Sequence, residues 1–194
     1  MMKRILPTTL ILAAMSGSAF AHPGAGHAAG FVHGFMHPVG GLDHVLAMVA
    51  VGLFAAVIGG RALWLVPASF VSFMLVGGAL GMADIAVPFV EAGIGLSVVV
   101  LGAAVAMRWK APVAVAMALA AVFAIFHGHA HGAEMPVDAS GASYALGFLA
   151  ATAALHATGV ASGLGLARVI DSRAARLGGA AIAAAGLGLL VGWL

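Results

Sequence analysis

The sequence predicts an all-α integral membrane protein: one bundle of six transmembrane helices after a cleaved signal peptide, with both ends of the mature chain outside (N-out/C-out). Three observations predict it. Of 194 residues, 63% are hydrophobic and 7% charged, against roughly a quarter charged in an average soluble domain, and the mean hydropathy is +1.16. The apolar residues fall in six runs, at 42–60, 62–82, 86–107, 111–128, 143–166 and 177–194, each near the ~20 residues needed to cross ~30 Å of hydrocarbon. Finally, Arg61, Arg108, Lys110, Arg168, Arg173 and Arg176 all lie in the first, third and fifth connections, which the positive-inside rule makes cytoplasmic.

Taken in order, residues 1–21 read as a secretory signal. Lys3 and Arg4 precede the apolar stretch Ile5 to Met15, and Ala19-Phe20-Ala21 supplies the small-residue cleavage site. Ile5 to Met15 is too short to span and is interrupted by Pro7. Cleavage leaves His22 as the new terminus of a multi-pass protein of a bacterial inner membrane. Without Lys3 and Arg4, six basic residues face six acidic ones, and the basic residues form no stripe that could follow a phosphate backbone, which excludes nucleic-acid binding. Asp84 and Glu91 border the second connection, and Glu134 and Asp138 the fourth, so the external side is acidic. Trp64, Trp109, Tyr144 and Trp193 fall at span ends, where an aromatic belt is expected. Gly77/Gly81, Gly159/Gly163 and Gly188/Gly192 have the small-xxx-small spacing that lets helix backbones approach closely. No repeat or separate soluble domain interrupts residues 22–194, which read as a single membrane domain.

The chemistry is concentrated in nine histidines, since cysteine is absent and thiolate sites are excluded. His37-Pro38-Val39-Gly40-Gly41-Leu42-Asp43-His44 places two imidazoles and a carboxylate at the mouth of an apolar run. Ionisable groups in hydrocarbon cost several kcal/mol and are kept for a partner, an ion or a water-filled path. Pro38 is expected to push His37 out of helical geometry, with a new helix beginning near Leu42 or Asp43; His37 then faces the Asp43-His44 pair across the break. In a continuous helix His33, His37, His44 and Met48 share one stripe instead.

A second constellation, Phe126-His127-Gly128-His129-Ala130-His131-Gly132-Ala133-Glu134, closes the fourth span on the same side. Neutral imidazole with carboxylate suits nickel, cobalt, zinc and copper(II). Glu91 is either an interfacial carboxylate or a ligand facing the bundle. His156, about 13 residues into the fifth span, is either a core histidine or an inner station on a path. At the mature terminus the His22 amine and imidazole can chelate together, although Pro23 removes the amide that a square-planar amino-terminal site would use.

His37-Pro-x-x-Gly-x-Asp43-His44 followed by Leu46-Ala-Met48-Val-Ala-Val-Gly52, and Phe126-His127-Gly-x-Ala-His131-Gly-x-Glu134-Met-Pro136, resemble the HupE/UreJ family of hydrogenase and urease accessory proteins. His156-x-x-Gly159 is similar to the same family's pattern. The resemblance covers the mature chain and implies a six-span permease supplying nickel, in some members cobalt, for nickel enzymes; His129 is an extra histidine that is not carried over.

The residues and the resemblance together make the expected function import of a divalent metal, Ni²⁺ before Co²⁺, by a non-enzymatic carrier that holds no permanent cofactor. No Walker motif is present for direct use of ATP. The expected ligands are His37, Asp43, His44, His127, His131, Glu134 and Glu91, with His22, His33 and His156 as further contributors. Two rivals stand beside this reading. One is an intramembrane zinc hydrolase with Glu134 or Glu91 as general base; the other is a metal-binding subunit of a larger transporter. Lipid is the expected surroundings, and oligomeric state is open.

Overall fold

The computed structural model describes residues 25–135, 141–169 and 172–194. The expected signal, His22 and Asp138 lie outside the described residues. Those residues form seven helices and, among them, no strand: α1 (Ala25–Gly40), α2 (Leu42–Ile58), α3 (Ala62–Met82), α4 (Val90–Ala106), α5 (Val113–Ala133), α6 (Gly141–Val169) and α7 (Ser172–Leu190).

α3 and α5, with the 141–165 part of α6 and the 173–190 part of α7, are each long and apolar enough to cross a membrane; the 30–40 part of α1 and α2 are so only together, as a bent pair with the form of a broken span or a re-entrant loop. α4 is equally apolar but has 17 residues, because Pro88 and a left-handed Phe89 (φ 60°) delay its start beyond the expected position 86. The result is a helical multi-pass membrane protein.

The break between α1 and α2 falls at Gly41, which is extended (φ −98°, ψ 121°), and turns the chain by 82°. Leu42 starts the second helix, as expected. His37, however, stays helical, because α1 continues through Pro38 to Gly40. The preference of a pre-proline residue for extended backbone is overridden by packing of α1 on α6, where Gly34 sits against the Tyr144 backbone and Gly147 against that of Phe31. At Gly41 itself a Cβ would stand 2.8 Å from Asp43 Oδ1 and 3.0 Å from His44 Nδ1, so only glycine leaves those groups in place.

Two helix pairings rest on similar close approach. Gly52 of α2 meets the backbone of His156, Gly159 and Val160 on α6, and Gly77 and Gly81 of α3 meet the α5 backbone. α4 packs on α7 and on α2, which leaves α2 central: Ala47, Met48, Ala50, Val51, Phe54 and Ala55 are fully buried. Gly188/Gly192 makes no comparable contact, since the nearest side chain to Gly188 is that of Leu194 in its own tail. Trp64 and Trp193 are exposed as belt residues should be, but Tyr144 is 4% exposed and belongs to the interior. Phe54, near the far end of α2, stacks on Trp109 at 5.9 Å, placing the α4–α5 connection at the end of the bundle opposite Gly41.

Candidate metal-binding site

The bend at Gly41 opens a cavity of about 560 Å³, lined by His33, Met36, His37, Gly40, Gly41, Asp43, His44, His131, Glu134 and Tyr144. Both histidine motifs therefore meet in one space. α5 runs to Ala133, five residues past the expected end of its span, so the second motif is helical. Its register turns His127 and His131, one turn apart, into the bundle, where they are buried. His129 points elsewhere and bonds the Ile85 carbonyl at 2.9 Å, tying α5 to the connection between α3 and α4.

At the open end, His37 Nε2 lies 3.0 Å from Glu134 Oε2, with both side chains partly exposed. The His37 ring then meets His131 edge-on at a centroid separation of 4.7 Å. His131 meets His44 at 4.3 Å, and His44 meets His127 at 4.9 Å. Beyond His127, the Phe70 ring follows at 5.6 Å, and Phe70 meets His156 at 5.1 Å. The rings form a continuous series from the cavity to the centre of α6.

Besides His37 on Glu134, hydrogen bonds fix two more of these imidazoles. Asp43 Oδ1 accepts from His44 Nδ1 and from the His44 backbone N–H, both at 2.8 Å. Ser97 Oγ lies 2.8 Å from His127 Nε2. Six other ring nitrogens, His44 Nε2, His127 Nδ1, and both nitrogens of His131 and of His156, are buried without a hydrogen-bond partner among the described residues. A buried polar atom without a partner costs roughly 1–3 kcal/mol, so a row of them in one place calls for a ligand that uses lone pairs. Among the described residues no three His, Asp or Glu side chains grip a single point; the donors are strung out in sequence.

Of the expected ligands, His37, Asp43, His44, His131 and Glu134 line the cavity with His33, and His127 continues it inward. Asp43 holds His44 through one of its oxygens. His156 stands beyond Phe70. Glu91 is exposed in the first turn of α4 and does not line the cavity. Sequence reasoning missed Ser97, Tyr144 and Phe70. Ser97 carried a legible signal, being the lone polar residue of α4 beyond Glu91.

In this helical membrane protein, imidazoles with free ring nitrogens lead inward from a carboxylate-flanked cavity, and nitrogen and oxygen donors of these kinds are ones that divalent transition metals accept. The HupE / UreJ protein family matches this chain over residues 10–189. Protein HupE of Rhizobium leguminosarum bv. viciae is 47% identical over 191 residues, covering 96% of this chain and 97% of that one. The chain belongs to the HupE/UreJ family, a family of metal-transport accessory proteins rather than enzymes. That removes the hydrolase reading. No solved structure matches it.

Proposed function

We propose that the chain is an inner-membrane permease importing a divalent transition metal, Ni²⁺ before Co²⁺, for the maturation of nickel enzymes. In this reading the mature chain is N-out and C-out with six spans: the broken α1–α2 segment, then α3, α4, α5, α6 and α7. The observation that carries the proposal is the row of buried imidazoles, each with at least one ring nitrogen that has no partner among the described residues, running from the open cavity to His156.

The cation is attracted by Glu134 and Asp43 and exchanges part of its water for His37, then for His131, His44 and His127. Carboxylates offset its charge, and imidazoles favour later first-row ions over Mg²⁺ and Ca²⁺. Because the donors are strung out, no station holds the ion with a full set of protein ligands. Weak, multiple sites of this kind let an ion leave as well as bind. His156 is the inner station. The preference for nickel among metals that accept these donors follows from the family.

The test is accumulation of radioactive nickel at low external concentration, with cobalt, zinc and copper as competitors, at matched membrane expression. Wild type is expected to raise uptake, and His37→Ala and His44→Ala to remove most of the rise. Unchanged uptake on expressing wild type, with a stoichiometric metal kept by the purified chain, would reject the permease.

A further inference from the structure

The hydroxyl of Ser97 is fully buried on α4, outside both histidine motifs. It makes two contacts, to the Ile94 carbonyl at 2.6 Å and to His127 Nε2 at 2.8 Å. A carbonyl oxygen only accepts, so the single hydroxyl proton goes to Ile94. Toward His127, Ser97 Oγ must then accept, and His127 Nε2 must carry the ring proton. A neutral imidazole has one N–H, which leaves His127 Nδ1 as a bare lone pair, buried and without a partner. His44 is arranged in the complementary way: its Nδ1–H is held by Asp43, leaving Nε2 bare. The two rings meet edge to face at 4.9 Å.

We infer that Ser97 is a positioning residue for cation transfer, holding His127 in the tautomer whose Nδ1 lone pair is free for the metal. Outer partners of metal-binding histidines act in this manner generally, fixing tautomer and ring orientation. The inference rests on the permease reading for what is transferred, but not for the tautomer. Without the Ser97 oxygen, nothing among the described residues holds the proton on Nε2; a proton on Nδ1 would block the lone pair.

The test uses the full-length protein with two readouts. Ring-¹⁵N NMR of labelled histidine, with His127 signals assigned by their loss in His127→Gln, reads the tautomer. Nickel uptake against concentration reads its consequence. Wild type is expected to show only the Nε2–H form at His127. Ser97→Ala is expected to populate the other form and to raise the apparent KM for nickel about tenfold or more. Ser97→Thr retains the acceptor and should restore both readouts, whereas Ser97→Val, of nearly the same shape, should restore neither.

An unchanged tautomer in Ser97→Ala overturns the inference whatever uptake does. So does a changed tautomer with wild-type uptake, or equal behaviour of the Thr and Val variants, which would make the effect one of packing. If wild type itself fails to raise uptake, the permease reading falls by itself. The inference is then decided by Ni²⁺ titration of the purified protein, where Ser97→Ala must weaken binding about tenfold and Ser97→Thr must not.

Discussion

His37 Nε2 and Glu134 Oε2 stand 3.0 Å apart across 97 positions of sequence, joining the last turn of α1 to the end of α5 at the open mouth of the cavity. The pair is part-exposed, with side chains 34% and 59% accessible, so it adds little to stability, on the scale of ~0.2–1 kcal/mol for such pairs. In the proposed permease its value lies in reception of the cation. Glu134→Gln and His37→Ala are each expected to lower nickel uptake about tenfold or more while shifting the melting temperature of the purified protein only slightly. The double variant should be no worse than the poorer single one. Additive losses would show that the two residues act separately.

The two inward histidines of α5 should part company with the third. His131→Ala is expected to abolish uptake, because His131 touches both His37 and His44. His129→Ala removes only a bond to the Ile85 carbonyl and should leave the KM for nickel within about twofold of wild type. Uptake assays at matched expression check both. Loss of transport in His129→Ala would place that residue on the route.

His156 offers a dissociation of stability from function. The residue is 2% exposed and neither ring nitrogen has a partner among the described residues, so replacing it by an apolar side chain of similar volume removes an uncompensated desolvation cost. His156→Leu is therefore expected to melt at or above the wild-type temperature in detergent, yet to carry nickel several-fold more slowly. Normal flux in this variant would end its assignment as the inner station.

Glycines can be sorted by what a side chain would meet. A Cβ at Gly52 would collide with the α6 backbone, at 2.7 Å from Val160 N and 2.9 Å from Gly159 Cα. Gly52→Val is expected to cost about 1–3 kcal/mol or more by overpacking, seen as a melting temperature several degrees lower. Nothing lies within 4 Å at Gly178, and Gly178→Ala in α7 should gain about 0.5–1 kcal/mol. Thermal unfolding of the purified variants distinguishes them.

The bounds of α2 and α3 were legible because Gly59-Gly60-Arg61 punctuates two apolar runs; glycines at positive φ, 81° and 56°, make that turn. The cavity-lining residues His37, Asp43, His44, His131 and Glu134 were legible because ionisable side chains in an apolar setting are conspicuous. What the sequence hid depends on which helices pair and at what rotation. Tyr144 looks like a belt residue at a span end, yet α1 covers it by packing along α6. Glu91 looks like a ligand by charge, but the rotation of α4 presents Ser97 to His127 and leaves Glu91 outside. Helix pairing here is encoded by glycines, and a glycine announces that a neighbour will come close without saying which one.

The glycine contacts also divide the molecule. Backbone lies on backbone between α3 and α5, between α2 and α6, between α1 and α6, and, at Gly102 and Gly179, between α4 and α7. By these close contacts the helices group into three blocks: α1 with α2 and α6, α3 with α5, and α4 with α7. His37, His44 and His156 ride on the first block, Phe70, His127 and His131 on the second, and Ser97 on the third. The imidazole series thus follows the seam between blocks. A small shear along that seam would lengthen or shorten the steps between neighbouring donors without bending a helix or unpacking a core.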